Sequence, residues 1–367
     1  MPNKIMALNP SFSQKTATSL LRTLFFLLLT TSTPFVFADI PRSGDSKNKP
    51  QQQEIPSPLS LEQAIALAKN HPRTKLGLQT QQLFPSSMPI FMDCQRLTFN
   101  NTHSIDNKRN SINSPLIAPH HQQQLRILQA FFDVLLADLN NGFINEKMAG
   151  SYIRYDRAKN RFELKQLSER VVARLEAEYQ IVLQQFRASE ATQRISRSTL
   201  AQALNTPEQL PSDLTPPDLF EVPDELPELD LVYQQAIKNN DWLSHLKKQF
   251  PNEDEKALTS LIQMNLRQQI LELLLRLQVL KSAKQQAETE NKLRELNLDM
   301  SRALYDMEVK ADLGNSMTLQ SKAILEEERI LYCQYLSWAQ LNALQGKSIL
   351  SPPPVNKNDE NKTENNE

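Results

Sequence analysis

The residues that could do chemistry are few, and their spacing fits none of the usual reactions. His71, His103, His120, His121 and His245 fall in loops or at polar helix ends. None has a glutamate at the H-E-x-x-H spacing that sets two imidazoles and a base on one helix face. No serine stands in a G-x-S-x-G setting, and the six glycines form no Walker or dinucleotide pattern. Cys94 and Cys333 lie far apart with no histidine or cysteine at ligand spacing, which excludes a zinc site. A single disulfide between them and two buried thiols are both open, the thiols being the plainer expectation. Glu326, Glu327 and Glu328 beside Arg329 read as a solvated helix face. No catalytic, cofactor-binding or metal-binding residue is assigned, and the chain is not expected to be an enzyme.

The elements behind these residues read as helices. Only 7% of the chain is aromatic and glycine is scarce, while Leu, Gln, Glu, Lys and Ala are plentiful, a composition that points to an all-α fold. A net charge of −1 gives no electrostatic case for nucleic acid. From Pro119 to Pro207 there is no proline and only Gly142 and Gly150, so nothing local forces a helix to stop. Apolar residues recur at Leu125, Leu128, Phe132, Leu135 and Leu139, and at Leu175, Tyr179, Val182 and Phe186. Residues 257–346 repeat the design, with Leu266, Ile270, Leu273, Leu277 and Leu280 continued by Leu293, Leu296, Met300, Ala303 and Met307. These are coiled-coil stripes, and rods of about 40 residues would run roughly 60 Å as antiparallel pairs.

Particular stretches carry a further resemblance. "AFFDVLLA" (130–137), "NRFELKQL" (160–167), Ala177 with Tyr179, and "LAQALNTPEQLPSDLTPP" (200–217) together resemble the TolC-like outer membrane efflux protein family. "LSLEQAIALAKNHPRTKLG" (59–77) and "LDLVYQQAIKNNDWLSHLK" (229–247) resemble the short helix that begins each half in that family. Ser60 and Asp230 are the expected N-caps, and Asn70-His71-Pro72 and Asn239-Asn240 the expected breaks. The second start follows the first by about 170 residues, as an internal duplication requires. "ADLGNSMTLQSKA" (311–323) resembles the family's hairpin tip. Gly314 is expected at its reversal, where a positive φ is needed, and Lys165 stands at the matching place in the first half.

The resulting organisation is a signal peptide over 1–38, a flexible lead over 39–58 and a first helical repeat over 59–205. A Pro-rich acidic linker over 206–228, a second repeat over 229–347 and a disordered tail over 348–367 complete it. The signal rests on Lys4, Lys15 and Arg22 before "TLFFLLLTTSTPFVFA", with a small residue at Ala38. No other window is expected to span a bilayer. Family members carry transmembrane strands of about ten alternating residues, and no such pair fits residues 82–121 or 242–258. The barrel strands are therefore expected to be absent.

The resemblance implies a non-catalytic helical conduit or adaptor-docking element of a Gram-negative efflux or type I secretion assembly, in the periplasm at the outer membrane. It implies a homotrimer, a periplasmic adaptor (membrane fusion) protein and an inner-membrane pump. Leu164, Lys165 and Gln166 with Leu313, Gly314 and Asn315 would be the tip contacts. The alternative is a barrel-less periplasmic coiled-coil scaffold or binding protein.

Overall fold

A computed structural model describes residues 55–76, 87–99, 111–223, 225–309 and 312–353, all within the compact unit Gln52–Glu367. The expected signal peptide, most of the lead and most of the tail lie outside the described residues. Among the described residues the structure is helical, with one isolated parallel bridge between Leu59 and Leu214. The α-helices are α1 (Leu61–Ala66), α2 (Cys94–Phe99), α3 (Pro119–Glu163), α4 (Glu169–Ala203), α5 (Leu229–Asn239), α6 (Trp242–Lys248), α7 (Glu255–Asp306) and α8 (Leu313–Leu344).

The four long helices form two antiparallel hairpins, α3 with α4 and α7 with α8, joined through α3 and α8. Phe132 of α3 stacks on Tyr332 of α8 at 4.4 Å, and further along Ser321 Oγ donates to Glu146 at 2.6 Å. The two middle helices thus run antiparallel, and both hairpins point the same way. At 1.5 Å per residue, the first hairpin reaches roughly 15 Å beyond the second. Along the α3–α4 pair buried residues recur every seventh position, Ile144, Ser151 and Ala158 on α3 and Val182, Ser189 and Ser196 on α4, with Asn141 bonded to Ser189 and Asp133 to Ser196 across the seam. That period brings small side chains to the seam and winds the pair as a left-handed coil.

The apolar core sits at the closed end of the hairpins. Leu125, Leu128, Phe131, Phe132 and Leu136 of α3 share one apolar core there with Leu266, Ile270, Leu273 and Leu277 of α7, and α8 lies between the two, buried almost all round from Ile330 to Leu344. At about 1.5–3 kcal/mol per fully buried large side chain, this end holds most of the fold's apolar stabilisation. One window of α3 is apolar enough, by length and composition, to cross a membrane, which the sequence reading did not anticipate. Within the fold 56% of that window is buried, as expected of a core helix.

Each half opens in the same manner. Ser60 caps α1 in a capping box with Gln63, and the break follows at His71. His71 Nε2 lies 3.1 Å from the Gln202 carbonyl, in the last turn of α4. In the second half the break falls at Asn240, whose Nδ2 donates to the Leu344 carbonyl at 2.9 Å, at the end of α8. In both halves a side chain at the first break meets a carbonyl in the last turn of its return helix; the Gln202 carbonyl also accepts from Asn205 N at 3.1 Å. Asp230 is not the cap of α5: Glu228 holds that position, and Asp230 lies in the first turn, paired with Arg267. Asn240 also donates to Leu116 O at 3.2 Å and Trp242 Nε1 to Pro115 O at 2.9 Å, tying the second half to the first.

The two cysteines form a disulfide, Cys94–Cys333, across 239 positions of sequence. The expectation of two thiols is corrected. The pairing follows from tertiary packing, which sets α2 against α7 with Cys94 at its start beside the buried half of α8, a juxtaposition that spacing alone does not reveal. The linker is extended, yet it packs: Phe220 stacks on Tyr335 at 4.4 Å, and Leu214, Leu219 and Val222 lie against the core. Beyond α8, Ile349 is buried and Ser351 O accepts from Asn342 Nδ2 at 2.8 Å, so the chain stays against the helix to that point.

Candidate functional site at the hairpin tips and open helix edges

Both hairpins end in the same turn. After α3, Lys165 N donates to Phe162 O at 2.8 Å and Gln166 N to Arg161 O at 2.8 Å, with Lys165 at φ 59°. After α7, Glu308 N donates to Tyr305 O at 3.0 Å and Val309 N to Leu304 O at 2.9 Å, with Glu308 also at φ 59°. This is a Schellman motif in each case, which satisfies two terminal carbonyls through one left-handed residue. The same motif closes α4 at Asn205 and α8 at Gly346.

The equivalence corrects the second tip. Leu164, Lys165 and Gln166 lie in the first turn and are exposed. Leu313, Gly314 and Asn315 instead form the first turn of α8, where Asp312 accepts from Asn315 N at 3.2 Å. Gly314 is helical, so the reversal does not use its conformational freedom. Met307, Glu308 and Val309 occupy the positions matching Leu164, Lys165 and Gln166. A charged residue takes the left-handed position where glycine is expected, and the glycine nearby draws the assignment six residues too far. The two tips carry aromatic and aliphatic side chains in the same register, Phe162 and Leu164 in one, Tyr305 and Met307 in the other, all exposed. Their charge balance differs: Arg157, Lys159, Arg161 and Lys165 outnumber Asp156 and Glu163 at the first, while Asp299, Asp306, Glu308 and Asp312 outnumber Arg302 among the described residues of the second.

The helical row α4–α3–α8–α7 is open, because α4 and α7 do not pack along one another. Its two edges differ. On α7 the side chains of Leu261, Met264, Leu275, Val279, Leu293, Leu296 and Met300 are 41–60% exposed. At 100° per residue they fall within one arc of about 100°, an outward apolar stripe in two stretches, Leu261 to Val279 and Leu293 to Met300, separated by exposed Ser282, Gln286 and Thr289. The periodicity continues the stripe of Leu266 to Leu280 through Leu293, Leu296, Met300, Ala303 and Met307 without fixing which way that face looks. The buried positions there are Ala287, Leu298 and Ser301, so the stripe faces out. On α4 only Ile181 and Ile195 are exposed large apolar residues.

A support for the tips lies at the closed end and was not anticipated. Buried Asp133 accepts from the backbone N–H groups of Ile90 (3.1 Å), Phe91 (2.6 Å) and Met92 (3.2 Å), and from Ser196 Oγ at 3.0 Å. Gln129 Nε2 donates to Met92 O at 2.9 Å and Arg329 Nε to Phe91 O at 3.1 Å. Residues 87–99 are thereby strapped across α3 and α8, with the disulfide at the end of the strap. The signal was the lone carboxylate inside the apolar run "AFFDVLLA", since a buried charge needs several donors. Arg276, also buried, donates to Glu272 at 3.0 Å and Gln340 at 3.2 Å, which binds α7 to α8.

No family model and no curated protein matches the chain. Among solved structures it is similar to the Campylobacter jejuni CmeC outer membrane channel, with 10% identity and a TM-score of 0.42 over 70% of this chain and 68% of that one. It is also similar to CusC, solved in work on folding and transmembrane channel formation, with 12% identity and a TM-score of 0.47 over 78% and 95% of the two chains. To the open state of the Neisseria gonorrhoeae MtrE outer membrane channel the identity is 11% and the TM-score 0.38, over 80% and 91%.

Proposed function

We propose that the chain is a TolC-like component of a Gram-negative efflux or type I secretion assembly, acting without catalysis as a helical conduit or adaptor-docking element on the periplasmic side of the outer membrane. The observation that carries this reading is the open row of helices with unlike edges, one of them bearing the apolar stripe of α7. Such a row can cover its stripe in an isologous α7–α7 pair, which leaves α4 free, or by joining unlike edges, which uses both. In the conduit it joins head to tail, α7 of one copy against α4 of the next, and head-to-tail contacts close into a ring when the rotation permits. A ring of three, as the sequence resemblance implies, would wall a duct with hairpins and gather all the tips at one end.

The tips then form the docking face. Phe162, Leu164, Tyr305 and Met307 offer apolar anchors to a periplasmic adaptor that in turn meets an inner-membrane pump, with Lys165 and Glu308 setting register by charge. A second reading, a barrel-less periplasmic scaffold, is favoured by one specific feature. The stretch following α5 is occupied by α6 and leads directly into α7, with no strand among its described residues.

Envelope fractionation of cells producing the protein separates the two. Recovery in the outer-membrane fraction as a detergent-requiring trimer supports the conduit, as does adaptor capture by photo-crosslinkers at Leu164 and Met307. Recovery as a soluble periplasmic monomer or dimer overturns it and leaves the scaffold.

A further inference from the structure

A second feature is independent of the tips and of any ring. Between α3, α8 and the linker lies a cavity of about 700 Å³, lined by apolar side chains that include Leu135, Leu139 and Phe143 of α3, Ile324 and Leu331 of α8, and Leu219 of the linker. This is within the roughly 300–1,000 Å³ usual for small-molecule sites. The polar groups at its margin are acidic: Asp138, Glu146, Asp218 and Glu328 line it, and no basic residue does. Arg197 neutralises Asp138 through two bonds of 2.8 and 2.9 Å. Glu146 accepts from Ser321 Oγ at 2.6 Å, an uncharged donor, and Glu328 stands beside the Tyr332 phenol. Burial first, and then the adjacent Glu328, push the Tyr332 phenol well above its ordinary range, so it stays protonated beside that carboxylate. The result is an apolar pocket under a negative rim, a combination that favours a cation over an anion.

We propose that this pocket binds an amphipathic organic cation, its apolar body against α3 and α8 and its charge facing Glu146 and Glu328. A hydrophobic cation loses little on leaving water for such a site, because carboxylates at the mouth replace its solvation while the body is buried. Gly142 lines the pocket, and a Cβ there would meet nothing within 4 Å. A larger side chain at that position would grow into the cavity without displacing backbone.

Tetraphenylphosphonium and tetraphenylborate, alike in shape and opposite in charge, test this by calorimetry on the purified full chain. The phosphonium should bind one to one, at least tenfold tighter than the borate. Gly142→Leu, which fills the space and is favoured in a helix, should abolish binding with an unlowered melting temperature. Glu328→Gln should weaken the phosphonium several-fold and leave the borate unchanged. Equal affinity for both ions, no binding, or binding that survives Gly142→Leu overturns the proposal. Light scattering on the same sample reports the ring separately, so a monomer that binds the phosphonium keeps this inference while losing the conduit.

Discussion

Lys165 and Glu308 hold the same place in two separate turns, each the left-handed residue of a Schellman motif with φ 59°, and each followed by a bond back to the last turn of its helix. Neither is a glycine. A non-glycine residue in this region carries backbone strain on the order of 1 kcal/mol, which the two terminal hydrogen bonds offset. Lys165→Gly and Glu308→Gly should each raise stability by about 0.5–1 kcal/mol, seen as a higher midpoint in denaturant melts. Gly314→Ala should do the same, because Gly314 is helical and has space for a methyl group. Loss of stability on Gly314→Ala would restore it as the reversal residue.

Asp133 is the anchor of the strap. Asp133→Ala leaves three backbone donors and Ser196 without their acceptor inside the fold. It should destabilise by about 2–4 kcal/mol, since an unsatisfied buried donor costs about 1–3 kcal/mol and part of the strap can turn to water. Hydrogen exchange at Ile90, Phe91 and Met92 should speed up before that of the α3 amides. Uniform loss of protection across both would mean that the carboxylate supports the whole core and not the strap.

The Cys94–Cys333 bridge closes a long loop and so restricts the unfolded chain. Reducing it should lower stability by about 2–5 kcal/mol. Cys333→Ser should melt where the reduced wild-type protein melts and should not respond to reductant. A wild-type melt insensitive to reductant, under conditions shown to break the bond, would contradict a stabilising role.

Acid should weaken the closed end through buried histidine. His121 is pushed down to about 4, by burial first and then by His120, whose ring lies 4.0 Å away, and its Nδ1 has no partner. His71 is also lowered, by burial first, against the raising effect of the Gln202 carbonyl. A folded value below the unfolded one means that the unfolded chain takes up the proton first. Stability from His121 is therefore complete above about pH 6.5 and lost as pH falls toward 4, a change of about 3 kcal/mol. His121→Gln should flatten that slope in denaturant melts between pH 7 and 4.

Much of the fold was legible because its elements are long and proline-free. The stripe from Leu125 to Leu135, the one from Leu266 to Leu280, and the break at Asn70-His71-Pro72 all fall where periodicity and proline chemistry put them. Periodicity did not orient Leu293, Leu296 and Met300, since a 3-4 spacing fixes that residues share a face but not which way the face looks. The second tip failed because glycine marks a left-handed turn only when no Schellman bonds stabilise another residue there, and Glu308 has them. Asp133 and the disulfide depend on residues 87–99 folding back over α3 and α8. No local pattern encodes that contact, although a carboxylate among phenylalanines and leucines hinted that donors must come from elsewhere.

The open row of helices is the centre of this account, and its mass in solution tests it most directly. Multi-angle light scattering of the purified protein, with and without detergent, should give three chains. Leu296→Glu with Met300→Glu, both exposed on the α7 stripe, should give one chain with unchanged helical circular dichroism. A wild-type monomer in both conditions, or a trimer indifferent to the two glutamates, would contradict assembly through that edge.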